Sequence, residues 1–278
     1  MDNKNKTILL TGATDGIGRI TALKLAQKGA HLILHGRDKE KLDETVKEIS
    51  MKSGNNNIDK VIADFSLLDE VKRMAEDIND RYYELHILIN NAGAGFSDKR
   101  YSKDGYELRF TVNYLAPFLL TQLLLPMLEK SAPSRIVNVS SAGQRKLNFD
   151  DIMMKSKFDP VYAYAQSKLA LIMYTLELAE KLRRRNIMVN ALHPGTYLNT
   201  KMVRNAGINP WGDPETGADA EVYLALSPEL DRVTGKYFDG KKESLADSQA
   251  YNAQARKRLW HLSVGLTNLE RKENEHTS

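Results

Sequence analysis

Tyr164 and Lys168 stand four positions apart, as Tyr-Ala-Gln-Ser-Lys, in a stretch with helical spacing. Residues i and i+4 share one face of a helix, so a phenol and an ammonium can meet the same ligand. An isolated tyrosine titrates near 10, too high for efficient acid–base work at neutral pH. A cation about 4 Å away, at an effective dielectric near 20, is worth about 4 kcal/mol. At about 1.4 kcal/mol per pH unit, that lowers the phenol by up to about three units. Lys168 is chemically suited to tune Tyr164. Upstream, Ser140 and Ser141 follow an apolar run, where a hydroxyl can hydrogen-bond a substrate oxygen; the residues alone leave open which one serves. Asn113 falls inside a helical stretch, residues 108–125, and can hold a water or mark a kink.

A second constellation suits an anion. Residues 11–18 read Thr-Gly-Ala-Thr-Asp-Gly-Ile-Gly between an apolar run and a helical pattern. Strand, glycine turn and helix form the context in which such a motif binds a dinucleotide. Gly12 permits a tight turn, Gly16 lets backbone N–H groups approach a pyrophosphate, and Gly18 lets helix and strand pack closely. Thr14, Asp15 and Ile17 complete the turn, and the anion sits at the positive end of the helix dipole. A free ribose 2′-hydroxyl is usually read by an acid at the end of the second strand. Here that end is His35-Gly36-Arg37, with no acid before Asp38. Arg37 offers a planar fork to a 2′-phosphate, which favours NADP(H) over NAD(H).

These residues need a frame. Short apolar runs at 8–10, 32–34, 61–63, 87–89, 136–139 and 187–189 alternate with amphipathic stretches. Strands buried on both faces and separated by helices predict a doubly wound parallel α/β sheet with right-handed crossovers. About seven strands are expected, in one domain over residues 1–269, with a charged tail at 270–278. Each run is followed by a glycine or polar cluster: Gly12, Arg37, Asp64, Asn90 to Gly93, Ser140-Ser141, and His193-Pro194-Gly195. Ligands of open α/β sheets bind beyond the carboxyl ends of the strands. The clusters therefore converge on one crevice.

Composition narrows the classes. Hydrophobic residues make up 42%, enough for a substantial core, and the net charge of +4 is dispersed. Six histidines show no metal-ligand spacing, so neither a metal nor a nucleic acid is indicated. Zero cysteines exclude thiol nucleophiles, iron–sulfur ligation and disulfides. No window approaches the roughly 18 unbroken apolar residues of a membrane span. The first six residues are polar and carry no secretory signal. A cytoplasmic protein is expected.

Taken together and in this order, the glycine turn, Asn90 to Gly93, Asn113, Ser141, Tyr164 and Lys168 resemble the short-chain dehydrogenase/reductase family over residues 6–240. The resemblance implies Tyr164 as proton donor or acceptor, with Lys168 also binding the nicotinamide ribose. It favours Ser141 as the residue that orients the substrate, and it gives Asn113 a proton-relay water. It places Asn90, Ala92 and Gly93 around the cofactor, Asp64 at the adenine, and Pro194, Gly195 and Thr196 near the carboxamide. Asp15 stands where NADP members often carry a basic residue. Residues 136–143, 164–182 and 235–260, with a lengthened gap at 144–161, are similar to the retinol dehydrogenase-like branch. No N-terminal membrane anchor of the kind that many animal members carry is expected.

The reading is an NADP(H)-dependent oxidoreductase of an apolar carbonyl or alcohol substrate. Two other readings stand beside it: a catalytically silent NADP-sensing regulator, and an epimerase or dehydratase of the family's extended branch. Leu147, Phe149, Ile152, Met153, Met154 and Phe158 on one segment are expected to wall the substrate pocket. Met202, Val203, Ile208 and Trp211 on another, residues 197–216, are expected to face them. Leu171, Met173 and Leu178 lie outside the main core stripe of their helix, which suits an isologous homodimer or a tetramer built from it.

Overall fold

A computed structural model describes residues 6–269, so the tail expected at 270–278 lies outside the described residues. All six apolar runs become parallel strands: β1 (Thr7–Leu10), β2 (His31–Gly36), β3 (Ile58–Ile62), β4 (Ile87–Asn90), β5 (Ser134–Val139) and β6 (Ile187–His193). Their order in the sheet is 3-2-1-4-5-6, continued by β7 (Lys236–Asp239) and β8 (Lys242–Ser244). Only β8 is antiparallel. Among the described residues the sheet has eight strands, where about seven were expected. The β7–β8 hairpin turns at Gly240; β7 holds only two apolar residues, Tyr237 and Phe238, and the edge strand β8 holds none, so neither shows a longer apolar run.

Strand order reverses between β1 and β4, which places the crevice between their carboxyl ends. Helices α1 (Gly16–Gln27) and α2 (Lys39–Ser53) share one face of the sheet with α8 (Pro214–Leu226). The opposite face carries α3 (Leu68–Arg81), α5 (Ala116–Lys130), α6 (Pro160–Lys181) and α9 (Ala253–Thr267). A short α4 (Leu108–Phe110) runs through a π turn, Thr111–Leu115, into α5. A five-residue α7 (Lys201–Asn205) follows β6.

Two expectations are corrected here. The continuous helix Leu108–Lys130 is 23 residues long and apolar enough to cross a membrane by length and composition. Its polar interruptions do not break that property, so the expected lack of such a stretch does not hold. In the fold, 72% of its most apolar window is buried, because it lies against the sheet with Phe118, Leu120 and Leu124 inward. The second correction concerns α6. Leu171, Met173 and Leu178 are not an open face for a partner; each is at most 1% exposed within the chain. Helix α9 packs on α6, and its Trp260 ring lies 5.9 Å from Tyr174 and 5.4 Å from Phe118.

Candidate active site

The glycine turn is held from two sides. Gly12 adopts φ +70°, and a Cβ there would lie 2.8 Å from the Ala92 Cα. A Cβ on Gly18 would lie 2.3 Å from both the Gly12 carbonyl and Asn91 Nδ2. The close approach read from the spacing is therefore real. Asn91 donates to the Thr11 and Gly12 carbonyls at 2.8 and 3.0 Å. The Thr11 hydroxyl accepts from the Asn91 and Ala92 N–H groups, each at 3.0 Å. Thr14 lies over Gly36, and Ile17 points at Gly217 of α8. Asp15 caps α1 by accepting from Gly16 N–H at 2.7 Å. Sequence reasoning set Asn91 inside the Asn90–Gly93 cluster but gave it no part in clamping the turn. The Asn90 side chain is buried below the crevice, donating to Thr121 and Asn138 at 3.1 and 2.8 Å.

At the far end of the crevice, Arg37 is exposed and has no ion-pair partner among the described residues. It lines an open depression of about 590 Å³ together with Asp38, Lys39, Glu40 and Asp64. Asp38 is committed elsewhere: it caps α2, accepting from Lys41 N–H at 3.2 Å. Partial burial pushes the Asp64 carboxyl up, but Lys103 at 2.9 Å and the Ser66 N–H outweigh it and bring the group down to about 2.

Tyr164, Lys168, Ser141 and Asn113 meet beyond β4 and β5. Burial pushes the Tyr164 phenol above its usual value, and the adjoining Ser141 hydroxyl opposes that shift. The Lys168 Nζ is 5.7 Å from the Tyr164 ring centroid and donates to the Val139 carbonyl at 2.9 Å. Burial lowers this lysine to about 8, against the opposing charge of Glu221. The influences that act on Tyr164 here are burial and the Ser141 hydroxyl, and the lowering expected from Lys168 is not among them. The two serines separate cleanly: Ser140 is buried and donates to the Lys168 carbonyl at 2.7 Å, whereas Ser141 faces Tyr164. Asn113 sits in the π turn, as the kink reading anticipated, and its amide bridges Ala94 and Ser167. Gly93 keeps the space beside it open; a Cβ there would lie 3.3 Å from Asn113 Oδ1 and 3.6 Å from Lys168 Nζ.

A family model described as short chain dehydrogenase matches residues 6–210. The chain belongs to the short-chain dehydrogenase/reductase family. Human "Retinol dehydrogenase 13" is 38% identical, over 95% of this chain and 85% of its own length. That places the chain in the retinol dehydrogenase-like branch. A crystal structure of an uncharacterized protein from Mycobacterium paratuberculosis superposes with a TM-score of 0.78 at 29% identity, covering 95% of this chain and 94% of that one. Pseudomonas aeruginosa RhlG, in an NADP active-site complex, gives 0.69 at 27%, covering 86% and 97%. As a short-chain dehydrogenase/reductase, the protein is an oxidoreductase that uses a nicotinamide cofactor. The relatives also overturn the cytoplasmic placement. They are named retinol dehydrogenases, and the helix Leu108–Lys130, buried against the sheet, supports neither placement. Absent cysteines do not outweigh that.

The walls of this short-chain dehydrogenase/reductase differ from the expected ones. Leu147, Ile152 and Met153 belong to the main core, and Met154 is buried as well. Phe158 lies beneath the guanidinium groups of Arg100 and Arg109. Much of residues 144–161 therefore roofs the fold. Residues 197–216 do face the crevice: Met202 rests on Gly95, where a Cβ would lie 2.5 Å from its Cγ. Val203 and Ile208 are half-buried, and Trp211 is 74% exposed. Phe96, which sequence reasoning did not single out, packs on Tyr164 with ring centroids 4.6 Å apart. Its only signal was its place just after the Asn90–Gly93 cluster. Gly195 takes φ +145° beneath Leu198, Pro194 abuts Gly217, and the Thr196 hydroxyl is 3.0 Å from His193 Nε2.

Proposed function

We propose that the protein is an NADP(H)-dependent carbonyl reductase or alcohol dehydrogenase of apolar substrates, built as one catalytic domain, with Tyr164 as general acid/base. The observation that carries this reading is the half-buried Tyr164 phenol, flanked by Ser141 and Lys168 and faced by Phe96. The cofactor supplies the hydride. Ser141 holds the substrate oxygen by donating a hydrogen bond to it. Tyr164, kept protonated at neutral pH by burial, gives its proton to that oxygen as the carbonyl becomes an alcohol, and takes it back in the reverse direction. Lys168 is assigned to the nicotinamide ribose, and Asn113 fixes the Ala94 backbone beside them. The glycine turn suits a pyrophosphate, since a side chain at Gly12 or Gly18 would close it. Pro194, Gly195 and Thr196 stand at the nicotinamide end.

Preference for NADP(H) rests on Arg37, unpaired among the described residues, and on Asp38, whose carboxylate is used as a helix cap. Arg37→Ala is expected to weaken NADPH binding about tenfold or more with little effect on NADH. A charge-assisted hydrogen bond is typically worth about 1.5–3 kcal/mol. Titrating both cofactors against both proteins checks this; equal losses remove Arg37 from the reading.

The apolar substrate preference rests on Phe96 and Met202, together with Val203 and Ile208 on the mobile-composition segment after β6. A relative named for retinol, a long apolar alcohol, supports the same class. Straight-chain aldehydes should be reduced with kcat/KM rising with length, because each buried methylene adds about 0.8 kcal/mol. NADPH consumption across such a series, with a charged keto acid beside it, tests the function directly. A flat series, or faster turnover of the keto acid, sinks the assignment.

A further inference from the structure

We propose that His35 is a positioning residue that holds the glycine turn in its cofactor-receiving shape. The inference rests on the dinucleotide reading of that turn. His35 is the fifth residue of β2 and is 3% exposed. The Gly12 N–H donates to its Nδ1 at 3.2 Å, and its Nε2 lies 3.0 Å from the Ala63 carbonyl. A carbonyl can only accept, so Nε2 carries the hydrogen and Nδ1 is the bare, accepting nitrogen. The two partners thus select one neutral tautomer. The His35 backbone carbonyl also accepts from Ala13 N–H at 2.9 Å, so one residue grips two successive positions of the turn. Its ring stacks on Phe65 at 4.2 Å with planes 16° apart, which anchors the grip to the end of β3.

The grip matters because Gly12 has no side chain to restrain it and sits at φ +70°. Without an acceptor at Nδ1, its half-buried N–H loses this partner, and a glycine is free to turn toward another. The turn then spends binding energy on being reordered by the ligand. Burial keeps His35 neutral at physiological pH, lowering it to about 4, so the accepting nitrogen stays available.

Three substitutions separate this role from simple packing. His35→Asn sets a carbonyl oxygen near the Nδ1 position and loses the Ala63 bond. His35→Gln keeps a donor toward Ala63 and loses the acceptor for Gly12. His35→Phe keeps the stack and loses both. Dissociation constants of the full chain for NADP⁺ and NAD⁺ are measured by calorimetry at pH 7.5, with a thermal melt of each apo protein. Asn is expected to bind within about threefold of wild type, and Gln and Phe about tenfold more weakly. Should Phe fail to fold, the order of Asn and Gln decides. Equal affinities for Asn and Gln, or affinities that follow melting temperature instead of acceptor placement, overturn the proposal. A wild-type chain that binds neither cofactor fails the dinucleotide reading first and this inference with it.

Discussion

Tyr164→Phe is expected to lower kcat by about 10²–10⁴-fold, the range that a positioned general acid contributes. The substitution removes one oxygen and nothing else. The ring that packs on Phe96 at 4.6 Å remains, and α6 keeps its interior, so the fold and the cofactor affinity should both persist. What disappears is the phenol beside Ser141 that passes a proton to the substrate oxygen. Lys168 cannot replace it, because its Nζ is held at the Val139 carbonyl. Turnover of a medium-chain aldehyde by the purified variant, with cofactor binding measured in parallel, decides the point. A near wild-type rate would assign the proton to another group.

Glu221→Gln is expected to stabilise the protein above neutral pH by up to about 5 kcal/mol. Glu221 lies on α8 with no exposed surface; one carboxyl oxygen accepts from the Thr21 hydroxyl at 2.8 Å, and the other has no partner. Burial pushes the group up to about 8, with Thr21 and the Lys168 charge pulling partly back. In the unfolded chain it titrates near 4.5. Between these values the native state keeps a proton that the unfolded state has released. Its contribution is complete below about 4.5 and is lost as pH rises toward about 8. At about 1.4 kcal/mol per pH unit, that window accounts for the expected gain. Glutamine is neutral throughout and still offers Thr21 a carbonyl. Urea unfolding at pH 5 and pH 8.5 should show similar stabilities for the two proteins at the lower pH and a gap at the higher. Parallel curves would mean that Glu221 does not hold its proton.

The sequence by itself determined the sheet and the convergence of its strand ends, because a strand buried on both faces must be a continuous apolar run. It also determined the chemistry available there: Gly12 and Gly18 leave no room for side chains, and a tyrosine and a lysine four apart share a helix face. Single-residue assignments were decided only by tertiary structure. Asn90 and Asn91, like Ser140 and Ser141, are neighbours of the same type at a strand end, where successive side chains point to opposite sides. Only the fold shows that Asn91 clamps the turn while Asn90 is buried, and that Ser140 is spent on the Lys168 carbonyl. The apolar side chains of residues 144–161 and the outer face of α6 match a pocket wall or an interface in composition. They are core because α9 and the C-terminal segment fold back over them, with Gln249 bonded to Leu147 across 102 positions. His35 shows the same limit. Its role depends on Gly12, Ala63 and Phe65, brought together by the pairing of three strands, and no local pattern encodes a contact between residues so far apart in the chain.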